Sequence, residues 1–142
     1  MYVLCRATEY APHGTRVTVC TVEEEYINAF ARGVPQQGMH VFNEGDGSLV
    51  WPTACAIDSE ENVYVADEWL NRISIFTKDG EWVGKWGTEG SGDGAIKSPS
   101  GMVFDADDNL LLVDSQNSRV QRFTKDGKFI SSFGSQGSGD GQ

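Results

Sequence analysis

An all-β fold of repeated four-stranded antiparallel sheets follows from three observations on the sequence. The first is repetition. Asn62–Val63–Tyr64–Val65–Ala66–Asp67 returns as Asn109–Leu110–Leu111–Leu112–Val113–Asp114, Phe76–Thr77–Lys78–Asp79–Gly80 returns as Phe123–Thr124–Lys125–Asp126–Gly127, and Gly90–Ser91–Gly92–Asp93–Gly94 returns as Gly137–Ser138–Gly139–Asp140–Gly141, always 47 residues on. The second is that the apolar runs within each repeat are only 4–6 residues long, rich in β-branched and aromatic side chains, and bounded by Gly, Asp, Asn or Pro. The third is the Asp-Gly pair between the third and fourth runs, which supplies the positive-φ residues of a tight hairpin turn. A four-stranded sheet repeated at this period describes the blade of a β-propeller.

The best-defined copy predicts strands over 53–58, 63–66, 72–76 and 81–86. Its second run is apolar at both alternating positions, so both of its faces should be covered. Trp82 and Trp86 stand where the next copy has Phe129 and Phe133, which marks them as core. A helical solenoid is excluded, because no segment carries a 3.6-residue apolar stripe over ten or more residues.

The N-terminal third holds a disguised copy. Arg16–Val17, Tyr26–Ile27 and Phe30 precede Arg119–Val120, Phe129–Ile130 and Phe133 by one constant step of 103 residues. Tyr2–Val3–Leu4 then reads as the second strand of this copy, and its first strand is absent. The chain therefore divides into a divergent, incomplete blade (1–51), a second blade (52–87), a linker (88–98) and a third blade (99–142), all parts of one propeller segment.

Pro99–Ser100–Gly101–Met102–Val103–Phe104–Asp105, the Asn109–Asp114 strand, Asn117–Ser118–Arg119–Val120–Gln121–Arg122–Phe123 and Asp126–Gly127 resemble the NHL repeat, and the copy from Pro52 to Gly87 matches as well. The resemblance implies a propeller, usually of six blades. It also implies a family that includes protein- and RNA-binding modules and is similar to propeller lyases and lactonases. Three blades, one incomplete, do not close a ring. The expected partner is therefore a second copy of the chain in a twofold homodimer of six blades, the alternative being a piece of a longer propeller.

With 142 residues, 39% hydrophobic and 23% charged, the chain should be globular. Its net charge of −10 argues against nucleic acid and against an anionic membrane as partners. No long apolar run or signal peptide is seen, and Cys5, Cys20 and Cys55 read as thiols in a reducing compartment, so a cytoplasmic location is expected.

Departures from the repeat point to function. The recurring Asp67, Arg72, Asp114 and Arg119, like the turn glycines Gly80 and Gly127, read as structural, with each Asp–Arg pair tying the second strand to the third. From Cys5 to Arg16 the first copy takes 11 residues where the others take 5, and from Phe30 to Pro52 it takes 22 against 13 from Trp86 to Pro99. In an up-down blade both connections fall on one face of the ring. The only histidines, His13 and His40, lie one in each insertion and could hold a divalent metal, zinc or calcium, or act as acid and base. Arg6 and Arg32 would then hold an anionic group. Tyr10, Met39, Trp51 and Trp69 are candidate ligand contacts on the same face. The polar turns near Asp105–Asp108 lack the glycine and distal glutamate of a calcium loop. The opposite face, with turns such as Ser59–Glu61, should carry little. Two functions are expected: a scaffold binding a protein, peptide or small ligand on the loop-bearing face, or a metal-assisted lyase or lactonase-type hydrolase.

Overall fold

A computed structural model of the chain describes residues 1–5, 16–23, 25–31 and 45–140. Eleven strands occur among them: β1 (Tyr2–Cys5), β2 (Arg16–Cys20), β3 (Tyr26–Phe30), β4 (Pro52–Ile57), β5 (Val63–Asp67), β6 (Arg72–Phe76), β7 (Trp82–Trp86), β8 (Pro99–Phe104), β9 (Leu110–Asp114), β10 (Arg119–Phe123) and β11 (Phe129–Phe133). One short 3-10 turn, Ser115–Asn117, joins β9 to β10. No helix among the described residues is long and apolar enough to cross a membrane.

The strands form three sheets in the orders β1-β2-β3, β4-β5-β6-β7 and β8-β9-β10-β11. Every pairing is antiparallel, and the repeat carries its register with it. Cys5 faces Arg16, Asp67 faces Arg72, and Asp114 faces Arg119. A bulge sits at the same repeat position in each sheet, between Val19 and Cys20, Ile75 and Phe76, and Arg122 and Phe123. The first sheet lacks a counterpart of β4 and β8, as the sequence predicts.

The sheets stack face to face around two apolar layers. Val17 and Phe30 of the first sheet meet Val63, Val65 and Phe76 of the second, with Leu49 between them. Tyr64, Ala66, Ile73 and Ile75 on the second sheet's other face meet Leu110, Leu112 and Phe123 of the third. Strands β5 and β6 are buried along their whole length, because a sheet lies on either side of them.

An aromatic from the fourth strand of each sheet seats on the turn glycine of the next. Phe30 covers Gly80, and Trp86 covers Gly127 while its Nε1 donates to the Lys125 carbonyl at 3.1 Å. Both glycines have positive φ, +88° and +83°. A Cβ on either would lie 2.5 Å from the seated ring. Gly127→Ala should therefore cost about 2–4 kcal/mol in urea denaturation, combining backbone strain with overpacking. Gly84→Ala, where an added Cβ meets nothing within 4 Å, should cost less than about 1 kcal/mol.

Candidate functional site

The loop-bearing end of each blade is organised by a buried carboxylate. Asp67 is fully buried at the end of β5. It accepts from the backbone N–H groups of Val50 at 2.7 Å and Trp51 at 3.2 Å on the incoming linker. It also accepts from Trp69 and Leu70, both at 3.1 Å, on its own loop. Its cross-strand neighbour Arg72 donates to the linker carbonyls of Ser48 at 2.8 Å and Gly45 at 3.1 Å. The third blade repeats the device. Asp114 accepts from the N–H of Lys97 at 2.6 Å and pairs with Arg119 Nε at 2.8 Å, while Arg119 donates to the carbonyls of Ala95 and Gly92 at 2.9 and 2.7 Å. In both blades the Asp and its cross-strand Arg hold the glycine-rich linker, and in the third they also pair directly. Those linkers, Gly45–Asp46–Gly47 and Gly92–Asp93–Gly94, present carbonyls to arginine.

On this scaffold Asp67 positions two tryptophans. Trp51 closes the linker and Trp69 opens the β5–β6 loop, and the Trp51 carbonyl accepts from the Glu68 N–H at 2.9 Å. Their side chains remain 43% and 57% exposed. The third blade has Ser98 and Gln116 at these positions, so the repeat does not require aromatics there. Glu68 is half-buried. Asn71, which sequence reasoning missed, closes this loop at a φ of +49°, and its side-chain oxygen accepts from the N–H of Ser98 at 2.8 Å on the next linker. Its signal was an asparagine at a left-handed position. Of the sequence candidates, Arg6, Tyr10, His13, Arg32, Met39 and His40 lie outside the described residues. The strand ends flanking both insertions, Cys5 and Arg16, Phe30 and Pro52, lie at the Asp67 end of the blades. Among the described residues, no cluster of three His, Cys, Asp or Glu could hold a metal.

The opposite end holds more than the sequence suggests. Asp108 of the third sheet accepts from the N–H and hydroxyl of Ser59 in the second, at 3.0 and 2.5 Å. Lys125 reaches Asp108 at 2.7 Å, Glu60 at 3.0 Å and Asp58 at 3.8 Å. These contacts clamp the second sheet to the third. The Lys125 ammonium and the Ser59 hydroxyl hold the Asp108 carboxyl at about 2, well below its ordinary value. Asp105 is lowered too, chiefly by the N–H of Asn109. A depressed carboxylate contributes stability that is present above its unfolded value of about 4 and lost as pH falls through its folded one. Lys125→Met should therefore lower the melting temperature by a few degrees at neutral pH. The gap from the unaltered protein should close between pH 4 and 2 in a thermal-melt series.

Stacked four-stranded sheets, innermost strands side by side and loops gathered at one end define a β-propeller segment. No family model and no curated protein matches the sequence. Solved structures do match the fold. The chain is similar to a catalytically inactive virginiamycin B lyase from Staphylococcus aureus with quinupristin, at 18% identity and a TM-score of 0.58, over 89% of this chain and 36% of that one. A streptogramin B lyase aligns at 14% identity and a TM-score of 0.56, over 84% and 33%. Hydrazine synthase of Kuenenia stuttgartiensis aligns at 14% identity and 0.59, over 87% and 31%. The chain spans about a third of the length of each of these chains.

Proposed function

We propose that this chain is an NHL-type propeller scaffold that binds a protein, peptide or small ligand on its loop-bearing face. The observation that carries this reading is the Trp51–Trp69 pair: two large, partly exposed aromatics whose backbone N–H groups Asp67 holds, at positions where the sister blade has Ser98 and Gln116. Partly exposed aromatics on a rigid frame are low-entropy anchors for a partner. A displayed peptide library panned against the protein, with the Trp51→Ala/Trp69→Ala double variant as counter-selection, tests it. Peptides that bind the unaltered protein should lose at least about tenfold in affinity on either single substitution. Thermal melts of each variant separate lost affinity from lost fold. Peptides that bind the double variant equally well would place recognition elsewhere.

A second reading, a metal-assisted propeller lyase or lactonase-type hydrolase, draws support from the lyases among the similar structures and from His13 and His40 in the two insertions. Imidazoles from both insertions, with a third ligand, would hold a divalent ion, and Arg6 or Arg32 would hold an anionic substrate group. Reconstitution with Zn²⁺ followed by metal analysis should give stoichiometric metal that His13→Ala removes. Metal-free protein after reconstitution would end this reading.

A further inference from the structure

The third sheet has one face packed on the second sheet and one face open. The open face carries Val103, Leu111, Val113, Val120, Arg122 and Phe133. These are the repeat counterparts of Ala56, Tyr64, Ala66, Ile73, Ile75 and Trp86, through which the second sheet packs on the third. Val103, Val113 and Phe133 are exposed here, Phe133 to 61%. Around Arg122, Leu111 and Phe133 lies a shallow groove of about 410 Å³.

At the other end of the stack, the first sheet turns Met1, Val3 and Tyr26 outward, all three exposed. These are the counterparts of Val63, Val65 and Trp82, the second-sheet residues packed against the first sheet. One chain thus ends in a face of the kind that enters a blade junction and in a face of the kind that receives one.

We propose that these two faces dock on each other between two copies of this chain, so that a head-to-tail pair related by a twofold axis brings six sheets into one ring. A heterologous junction closes into a ring of two chains when the rotation across each chain is half a turn.

The charges at the open face fit this occupant. At the internal junction, the acids of the second sheet's first turn, Asp58 and Glu60, meet Lys125 from the following sheet. Their third-sheet counterparts, Asp105 and Asp107, are met within the same sheet by Arg122, at 2.6 and 3.0 Å. The open face therefore needs no lysine from the blade that follows. The first copy offers none: Val22 stands at the position of Lys78 and Lys125, and it is 81% exposed. Phe133 replaces Trp86 and has no N–H needing an acceptor such as the Lys125 carbonyl. One position runs the other way. The glycine that seats the aromatic at both internal junctions is Glu24 in the first copy. A reversible dimer is the expected state.

Sedimentation velocity of the 142-residue chain over a concentration series tests the proposal. A monomer–dimer equilibrium is expected. Val113→Lys on one face and Val3→Glu on the other should each weaken it roughly 100-fold, since each buries a charge in both junctions. Far-UV circular dichroism should stay unchanged; if either variant fails to fold, Phe133→Asp or Tyr26→Asp replaces it. An equimolar mixture of the two variants should pair again, because one junction of the mixed dimer joins unaltered faces and the other sets lysine against glutamate. A stable monomer overturns the proposal and leaves the open face to a further blade of another segment. Open-ended polymers, a dimer indifferent to the substitutions, or no pairing on mixing also overturn it.

Discussion

The buried carboxylate at the end of each second strand is the constraint on which the rest of this structure depends. A blade has two weak points at its loop end: a glycine-rich linker with no regular hydrogen bonding, and a tight connection from second to third strand. Asp67 and Asp114 draw N–H groups or side-chain donors from both, and Arg72 and Arg119 take the linker carbonyls. The carboxylate is tolerable in a fully buried position because several charge-assisted donors converge on it. Without it, linker donors and arginine would both be left short of partners in the interior. The linker also places β4 and β8 beside one another, so stacking of the blades follows from this local chemistry.

A second, apolar device joins the end of one blade's last strand to a turn of the next blade. The aromatic that closes a fourth strand sits on a bare glycine Cα in the next sheet, so the turn glycine answers to two demands at once, a left-handed backbone and a flat seat. A repeat read only within one blade shows the first demand, since Asp-Gly is a turn signal. It hides the second, because the seated ring belongs to the preceding blade.

The same distinction marks what the sequence could disclose. Strand positions were legible almost to the residue: 72–76 was read as a strand, and β6 is Arg72–Phe76. The first copy was recoverable through constant steps to Arg16, Tyr26 and Phe30, which fall in β2 and β3. The bulges were not legible, because no residue type announces them at Ile75 or Arg122. Nor was the Ser59–Asp108–Lys125 clamp, which joins residues whose separations do not follow the repeat period. Those turns looked idle because each was judged within its own sheet. Trp51 and Trp69 were legible because the repeat fails there, and the structure adds that one carboxylate holds the backbone of both. Arg122 is the converse case. Its counterpart, Ile75, is buried between sheets, a contrast that only the stacking displays.

The two kinds of departure from the repeat therefore act on different surfaces. At the loop end, Trp51 and Trp69 change side chains without changing the backbone frame, because Asp67 needs only their N–H groups. The third blade keeps the same frame with Ser98 and Gln116 at these positions. On the open face of the third sheet the departures are coupled instead. Tyr64 becomes Leu111 as Ile75 becomes Arg122, and the carboxylate that Tyr64 served through its hydroxyl passes to the guanidinium. Coupled replacement of this sort pairs the acids of the first turn with a cation from their own sheet. Arg122 thus holds Asp105 and Asp107 within one sheet, where Lys125 holds Asp58 and Glu60 across two.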